Sequence, residues 1–391
     1  MTNSVERATI GPLDGVVVVE LASIGPGPWA AMMLADMGAE VIRIDRPAHN
    51  GNFVPPKFDV TRRGRHSVSL DLRTDAGLAA ALRLVEHADI LLEGNRPGVT
   101  ERLGIGPDEC LRRNPKLVYG RMTGWGQDGP LSQTAGHDAT YLALTGALHA
   151  IGRADGPPVL PINLVGDYGG GGAFLVIGVL AAYINAQTTG RGQVVDAAIL
   201  DGTLALSAPL HGMLAAGLWK DERGTNLLDS GRPWYDVYGT SDGKHVVIGP
   251  LEPQFFDEFA EQIGTSTTSK TRNDEASWPA LRKEWSEAFA AQSRDHWQQT
   301  FEGTDACVAP ILGLNEAPDH PHMRARDSFI EVDGVRQPAP APRFSETPAS
   351  VRSGPVPAGA NTRAILSRFG FNDNEVDAML QAKAAYQHTE E

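Results

Sequence analysis

A chain of 391 residues with 41% hydrophobic and 21% charged side chains has the composition of a globular protein, not of a disordered or fibrous one. Its formal net charge of -14 argues against broad binding to nucleic acid or to anionic membranes, so an anionic ligand must be met by a local basic patch. At about two to three times the usual domain length, two domains are expected.

The two cysteines, Cys110 and Cys307, lie far apart and in no metal-ligand spacing, which points to free thiols in a reducing compartment. Met1 to Arg7 has no apolar core and does not read as a signal peptide. The longest apolar run, Ala173 to Ile184, is shorter than the ~20 residues that span a bilayer. A cytoplasmic protein without nucleic-acid or membrane partners is the expectation.

Taken in order, Val16 to Val19 is a β-branched run of the kind buried on both faces. It passes through Ile24-Gly25-Pro26-Gly27-Pro28 into a helical pattern from Trp29 to Met37 and then a second strand, Glu40 to Asp45. Such a β-α-β unit implies a parallel sheet covered by helices. Gly25, Gly27 and Ala30 also fit a dinucleotide-binding pattern, with Asp45 placed as a ribose acid. Against that, Pro26 and Pro28 remove two N–H groups from the loop that would cradle a pyrophosphate.

From Arg43 to Arg102 ten basic residues, nine of them arginine, face eight acids. Arginine suits bidentate phosphate contact, so a polyphosphate-bearing ligand competes with solvated or paired arginines as the reading. Further strands are read at Ser67 to Leu72, Asp89 to Glu93 and Leu117 to Gly120, with a helix capped by Thr74 or Asp75 running to Glu86. Gly94-Asn95-Arg96-Pro97-Gly98 is then a loop at the carboxyl end of a strand, where open α/β sheets bind ligands. The turn-rich Thr123 to Pro130 follows as a shaped loop.

Next come Ala135-Gly136-His137-Asp138-Ala139-Thr140-Tyr141 and Gly166-Asp167-Tyr168, with four glycines from Gly169 to Gly172. Ala173 to Tyr183 is apolar all round and reads as a central helix. A long helical stretch after Asp201, with Leu204, Leu206, Leu210, Met213 and Leu218 recurrent, leads to a polar crossing. Trp234 to Gly239 and His245 to Gly249 form a hairpin through Asp242-Gly243. Helices around Gln254 to Gln262, Trp278 to Ala291 and Arg294 to Glu302, and a strand at Cys307 to Leu312, complete a small α+β domain. Proline-rich residues 337–357 read as an extended return segment, followed by helices after Asn361 and from Asn374.

Leu13 to Arg46, Gly94 to Leu103, Thr123 to Pro130, Gly136-His137-Asp138, Leu164 to Gly170, Gly190 to Ala198 and Glu252-Pro253-Gln254-Phe255 resemble the family III CoA-transferases. Within them the chain looks most like the α-methylacyl-CoA racemase branch. The resemblance implies an α/β fold: a large Rossmann-like open parallel-sheet domain plus a smaller α+β domain, in an interlocked homodimer. The corresponding division is 1–205 and 324–391 for the large domain, 206–228 for a helical crossing and 229–323 for the small domain.

The same resemblance implies acyl-CoA substrates drawn from fatty acid and lipid metabolism, with coenzyme A as part of the substrate and no cofactor. It implies His137 and Asp167 as acid and base, Glu252 supporting the histidine, and an active site between one subunit's large domain and its partner's small domain. CoA contacts are implied at Arg46, Leu70, Asp71, Leu72, Arg73, Gly94, Asn95, Arg96, Arg102, Gly136, Ala139, Thr140 and Tyr141. Arg46 to Phe58 departs from the family pattern before Arg62-Arg63.

Inverting a carbon next to a thioester carbonyl needs a base on one face, an acid on the other and a stabiliser for the enolate oxygen. His137 titrates near neutrality and serves either role. A helix start at Asp167 favours its carboxylate, and the glycines would let a ligand oxygen approach free N–H groups there. Asp138 orients a base, faces the ligand or caps a helix. Three functions follow: a racemase; a CoA-transferase in which Asp167 attacks the thioester to form a mixed anhydride; and a catalytically silent CoA-thioester binder. His137 and Glu252 favour the racemase, since transferases usually carry a non-basic residue at the first position and lack the second motif.

Overall fold

The structure is a computed structural model that describes residues 11–47 and 54–389. Met1 to Arg7, and residues 48–53 of the divergent stretch, lie outside the described residues. The chain divides into two compact units: one holds the chain up to Thr145, Ile162–Leu206 and Arg326 onward, the other Gly146–Pro161 and Ser207–Ala325.

The first unit is built on a parallel sheet of β1 (Val17–Leu21), β2 (Glu40–Asp45), β3 (Arg65–Leu70), β4 (Ile90–Glu93), β5 (Val118–Thr123) and β6 (Gln193–Ala198). Their spatial order is β3-β2-β1-β4-β5-β6, and a short strand, Ala385–Tyr386, adds antiparallel to β3. The chain runs outward from β1 in one direction and then, from β4, in the other. This reversal places a crevice at the carboxyl ends of β1 and β4.

Alternating side chains divide the core between the two faces of the sheet. Val19, Ile42, Val68, Leu91 and Tyr119 meet Leu84 of helix α2 (Asp75–Glu86) and the C-terminal residues Ile365, Leu366, Val376 and Met379. Val18, Val41, Ile90 and Val118 meet Leu34 of helix α1 (Pro26–Asp36) and Leu175 and Val179 further along. Each fully buried Val or Leu contributes about 1.5–3 kcal/mol, so covering both faces stabilises the sheet that carries the crevice. Thr74 caps α2 by accepting from Gly77 N–H at 3.1 Å.

Three expectations change in this unit. The helix read as starting in the glycine run begins earlier: a π-helix, Leu164–Ala173, leads directly into an α-helix, Phe174–Thr189. That α-helix is not buried all round, because Ile177 is 60% and Ile184 67% exposed while Leu175 and Val179 are fully buried. Among the described residues, Leu164–Thr189 is the one helical run long and apolar enough to cross a membrane by length and composition. The long helix after Asp201 is in fact two, Ile199–Leu206 and Ala208–Ala215, broken at Ser207 ahead of Pro209.

The second unit contains the antiparallel sheet β7 (Asp236–Gly239), β8 (His245–Ile248) and β9 (Val308–Pro310). Helices Pro253–Ile263, Trp278–Ala290 and Arg294–Thr300 accompany it. Phe256, Phe259, Trp285 and Phe289 are its fully buried aromatic core. Ser293 caps the last helix, accepting from His296 N–H at 3.2 Å. Residues 146–161, read as part of the large domain, cluster here instead. Arg223 explains it by donating to the carbonyls of His149 and Arg153 at 2.9 and 3.2 Å. The stretch 207–228, read as a crossing, also belongs to this unit.

Candidate active site

The loops at the carboxyl ends of β1, β4 and β5 converge with the start of the π-helix. Ile24, Gly25, Gly94, Arg96, Trp125, Gly136, His137, Tyr141 and Asp167 line one cleft of about 320 Å³. His137 and Asp167, thirty positions apart in the chain, therefore face a common space. Gly25 has φ 70°, and a Cβ there would stand 3.4 Å from Asp167 Oδ2. A side chain at that position would be strained by the positive φ and would sit in contact with the carboxylate.

Two side chains hold Asp167, and a backbone bond closes the turn around it. Its backbone N–H donates to Asp138 Oδ1 at 2.7 Å. Its Oδ2 accepts from Asn163 Nδ2 at 3.4 Å. Tyr168 N–H bonds the Asn163 carbonyl at 3.2 Å, the wide i to i+5 pattern of a π-turn. Burial, and then the neighbouring Asp138 charge, raise the Asp167 carboxyl above its ordinary range, while Asn163 and His137 pull it back. Burial also raises Asp138 itself.

The N–H groups around Asp167 are thus not the free anion site that the sequence suggested, because Asp138 occupies the one on Asp167. Nor do the glycines open a path for ligand. A Cβ on Gly170 would meet Thr203 Oγ1 at 2.4 Å, and one on Gly172 would meet the Trp29 ring at 2.6 Å. They let the π-helix pack closely against its neighbours.

Helix α3 (Asp138–Thr145) carries the remaining motif residues. Tyr141 turns to the cleft and meets Trp125 edge-on, with ring centroids 4.7 Å apart. Thr140 bonds the backbone of His137, accepting from its N–H at 3.0 Å. Neither Ala139 nor Thr140 lines this cleft, so their role as ligand contacts is not what the geometry favours.

A second cleft, about 450 Å³, brings together Arg46, Leu70, Asp71, Leu72, Arg73, Asn95 and Arg102, with Leu21, Ile44 and Leu103 as apolar floor. Arg46 donates to Asn95 Oδ1 at 3.3 Å. Arg73 forms two 2.9 Å bonds to Asp71, which hold that carboxyl below its usual range. A third cleft, about 700 Å³, contains Ser23, Gly25, Phe58, Asn163 and Tyr168. Asn95 lines all three and so marks their junction.

Other arginines of the basic stretch are consumed internally. Arg43 pairs with Glu20 and Asp45, Arg62 with Asp45 at 3.3 Å, Arg63 with Asp36 at 2.6 Å and Arg65 with Glu20 at 2.9 Å, all buried. Phosphate candidates narrow to the exposed Arg46, Arg73, Arg96 and Arg102. Asp45 also accepts from Ser67 Oγ at 2.6 Å. With its oxygens so engaged it is no free ribose acid, and the dinucleotide reading fails.

Glu252 lies in the second unit, at the N-cap position of Pro253–Ile263, without a side-chain cap bond. Arg272, which sequence reasoning missed, fixes the turn before it by donating to the carbonyls of Pro250 and Leu251 at 2.9 and 2.5 Å. Asn163 was missed as well. The described residues contain no cluster of three His, Cys, Asp or Glu able to hold a metal.

The family model for CoA-transferase family III matches residues 13–362. The chain belongs to that family. Its members include the α-methylacyl-CoA racemases of Mus musculus and Homo sapiens, 42% and 41% identical to this chain and covering 93% of it and 95% of each relative. The crystal structure of a CaiB/BaiF family protein from Brucella suis superposes with a TM-score of 0.78 at 26% identity, over 92% of this chain and 99% of that one. The family fold is thus the one described above, with its mostly parallel central sheet.

Proposed function

We propose that this protein inverts the α-carbon of 2-methylacyl-CoA thioesters by two-base proton transfer through an enolate. His137 works on one face and Asp167 on the other, and Glu252 supports the histidine. The observation that carries this reading is the placement of His137 and Asp167 in one cleft, near enough that the His137 charge favours the ionised Asp167 carboxylate. An acid raised toward neutrality gives and takes protons more evenly than an ordinary carboxyl. The mouse and human relatives, named for the racemase activity, support the same assignment.

The arginine-rimmed cleft suits the phosphates of coenzyme A, with Asn95 at the turn toward the acyl end. The thioester carbonyl itself acidifies the α-proton, and we extend the proposal to a step without a resident cofactor, coenzyme A being part of the substrate. We extend the proposal to a homodimer and to a cytoplasmic location, the latter supported by the free thiols Cys110 and Cys307.

The deciding experiment follows α-deuterium uptake and configuration together, using one enantiomer of a 2-methylacyl-CoA in deuterated water. Uptake with loss of configuration, impaired in His137→Ala and in Asp167→Ala, is the expected result. Label moving instead from thioester to an added free acid would make Asp167 a nucleophile and the protein a CoA-transferase.

A further inference from the structure

Asp167 stands on a π-helix, a wide turn whose backbone ring is less favourable than that of an α-helix and persists where neighbours hold it. Two side chains do so. Asp138 Oδ1 accepts the Asp167 N–H at 2.7 Å, and a Cβ on Gly166 would fall 2.2 Å from the same oxygen, so nothing larger than glycine fits beneath it. Asn163, the N-cap residue, gives its carbonyl to Tyr168 N–H and its amide to Asp167 Oδ2.

We propose that Asp138 and Asn163 are positioning residues for Asp167, the first holding its backbone and the second its carboxylate. The assignment rests on the two-base reading above, since it is the direction of that carboxylate toward the α-carbon that they set. Neither contacts the reacting atoms in this role. Of the three roles that the sequence left open to Asp138, this is the orienting of a base.

The two residues act on the charge of Asp167 in opposite senses. Asp138 is a like charge and opposes ionisation, whereas the Asn163 amide donates to the ionised form and favours it. The other groups that face Asp167 are His137, whose charge favours ionisation, and the Tyr141 phenol, raised by burial and by Asp167 and lowered by Arg96. Removing the two residues should therefore move the Asp167 carboxyl in opposite directions, whereas a general loosening of the fold would move it the same way in both variants.

The test uses Asp138→Asn, which keeps an acceptor oxygen, together with Asp138→Ala and Asn163→Ala. Asp138→Ala should lower kcat on the order of 100-fold and Asn163→Ala about tenfold, with KM little changed, as for a displaced reacting group. In the direction where Asp167 is the base, the acid limb of kcat should move to lower pH in Asp138→Asn and to higher pH in Asn163→Ala, each by about half a unit or more. A 13C-carboxylate titration, with Asp167→Asn identifying the signal, reads the same two shifts without turnover. If wild-type protein leaves configuration unchanged, the racemase reading falls while the titration still decides the positioning. Shifts of the same sign, or none, in that titration overturn the proposal.

Discussion

Thr140 closes a ring on the backbone of His137: its hydroxyl accepts the His137 N–H at 3.0 Å and donates to the His137 carbonyl at 2.7 Å. The hydroxyl thus joins the Thr140 and Tyr141 N–H groups, which donate to the same carbonyl at 2.8 and 3.3 Å, in holding the turn that carries the proposed acid/base group. Thr140→Ala should lower the racemisation rate about tenfold through misplacement of the imidazole. Thr140→Ser, which retains the hydroxyl, should stay close to wild type, and equal rates in the two variants would refute the arrangement.

Arg63 and Asp36 form a buried pair, with Arg63 also donating to Gln337 Oε1 at 2.8 Å and to the Pro338 carbonyl at 2.9 Å. Burial leads the causes that raise the Asp36 carboxyl, against the opposing pull of Arg63. Arg63→Met should cost about 3–5 kcal/mol by leaving a buried carboxylate uncompensated. Its pH dependence has a definite sign. A carboxyl raised in the folded state has its stabilising effect below the unfolded value and loses it as pH rises through the folded value. The variant should therefore be weakened more at pH 8 than at pH 5, as urea unfolding at the two values would reveal.

Rim and interior arginines separate on coenzyme A affinity. Arg46→Ala, Arg73→Ala and Arg102→Ala should each weaken binding about tenfold, with the affinity falling further as salt rises. Arg63 lines none of the three clefts around the site, so Arg63→Met protein that remains folded should bind as wild type does. Calorimetric titration with coenzyme A measures all four, and uniform losses would move the nucleotide end elsewhere.

Arg272 lies 5.0 Å from the Trp234 ring and 4.7 Å from that of Phe256 while serving two carbonyls. Arg272→Ala strands those acceptors and should cost about 2–4 kcal/mol. Because the turn ahead of Glu252 loses its anchor, kcat should fall even below the melting transition. A variant with wild-type thermal stability would remove Arg272 from this role.

Strands β1 and β4 were legible because strands buried on both faces of a parallel sheet are written as β-branched and apolar runs, whereas β2, β3 and β5 carry charged or hydroxyl residues among the apolar ones. The sixth, Gln193–Ala198, was not read as a strand: its first two residues are exposed and its last two are small alanines. The 146–161 excursion is rich in glycine and proline, which signals turns but not a change of unit, and it is tied to its unit by Arg223, from which it is separated by about seventy residues. The His137 and Asp167 pair was legible from residue type within long motifs. Asn163 was not, although its spacing of four residues before Asp167 on a helical path was a signal that could have found it.

The C-terminal residues Ile365, Leu366, Val376 and Met379 are inside the core that also contains Val19 and Ile42. During synthesis, the part of this sheet face that α2 does not cover thus waits for Ile365 to Met379, which emerge after the second unit, ending at Ala325, has been made. The core of the first unit, which holds the N-terminal strands, is therefore completed in the chain after the whole of the second unit has been made. A chain stopped before Thr362 would hold every residue proposed for proton transfer and still lack part of one wall of its own interior.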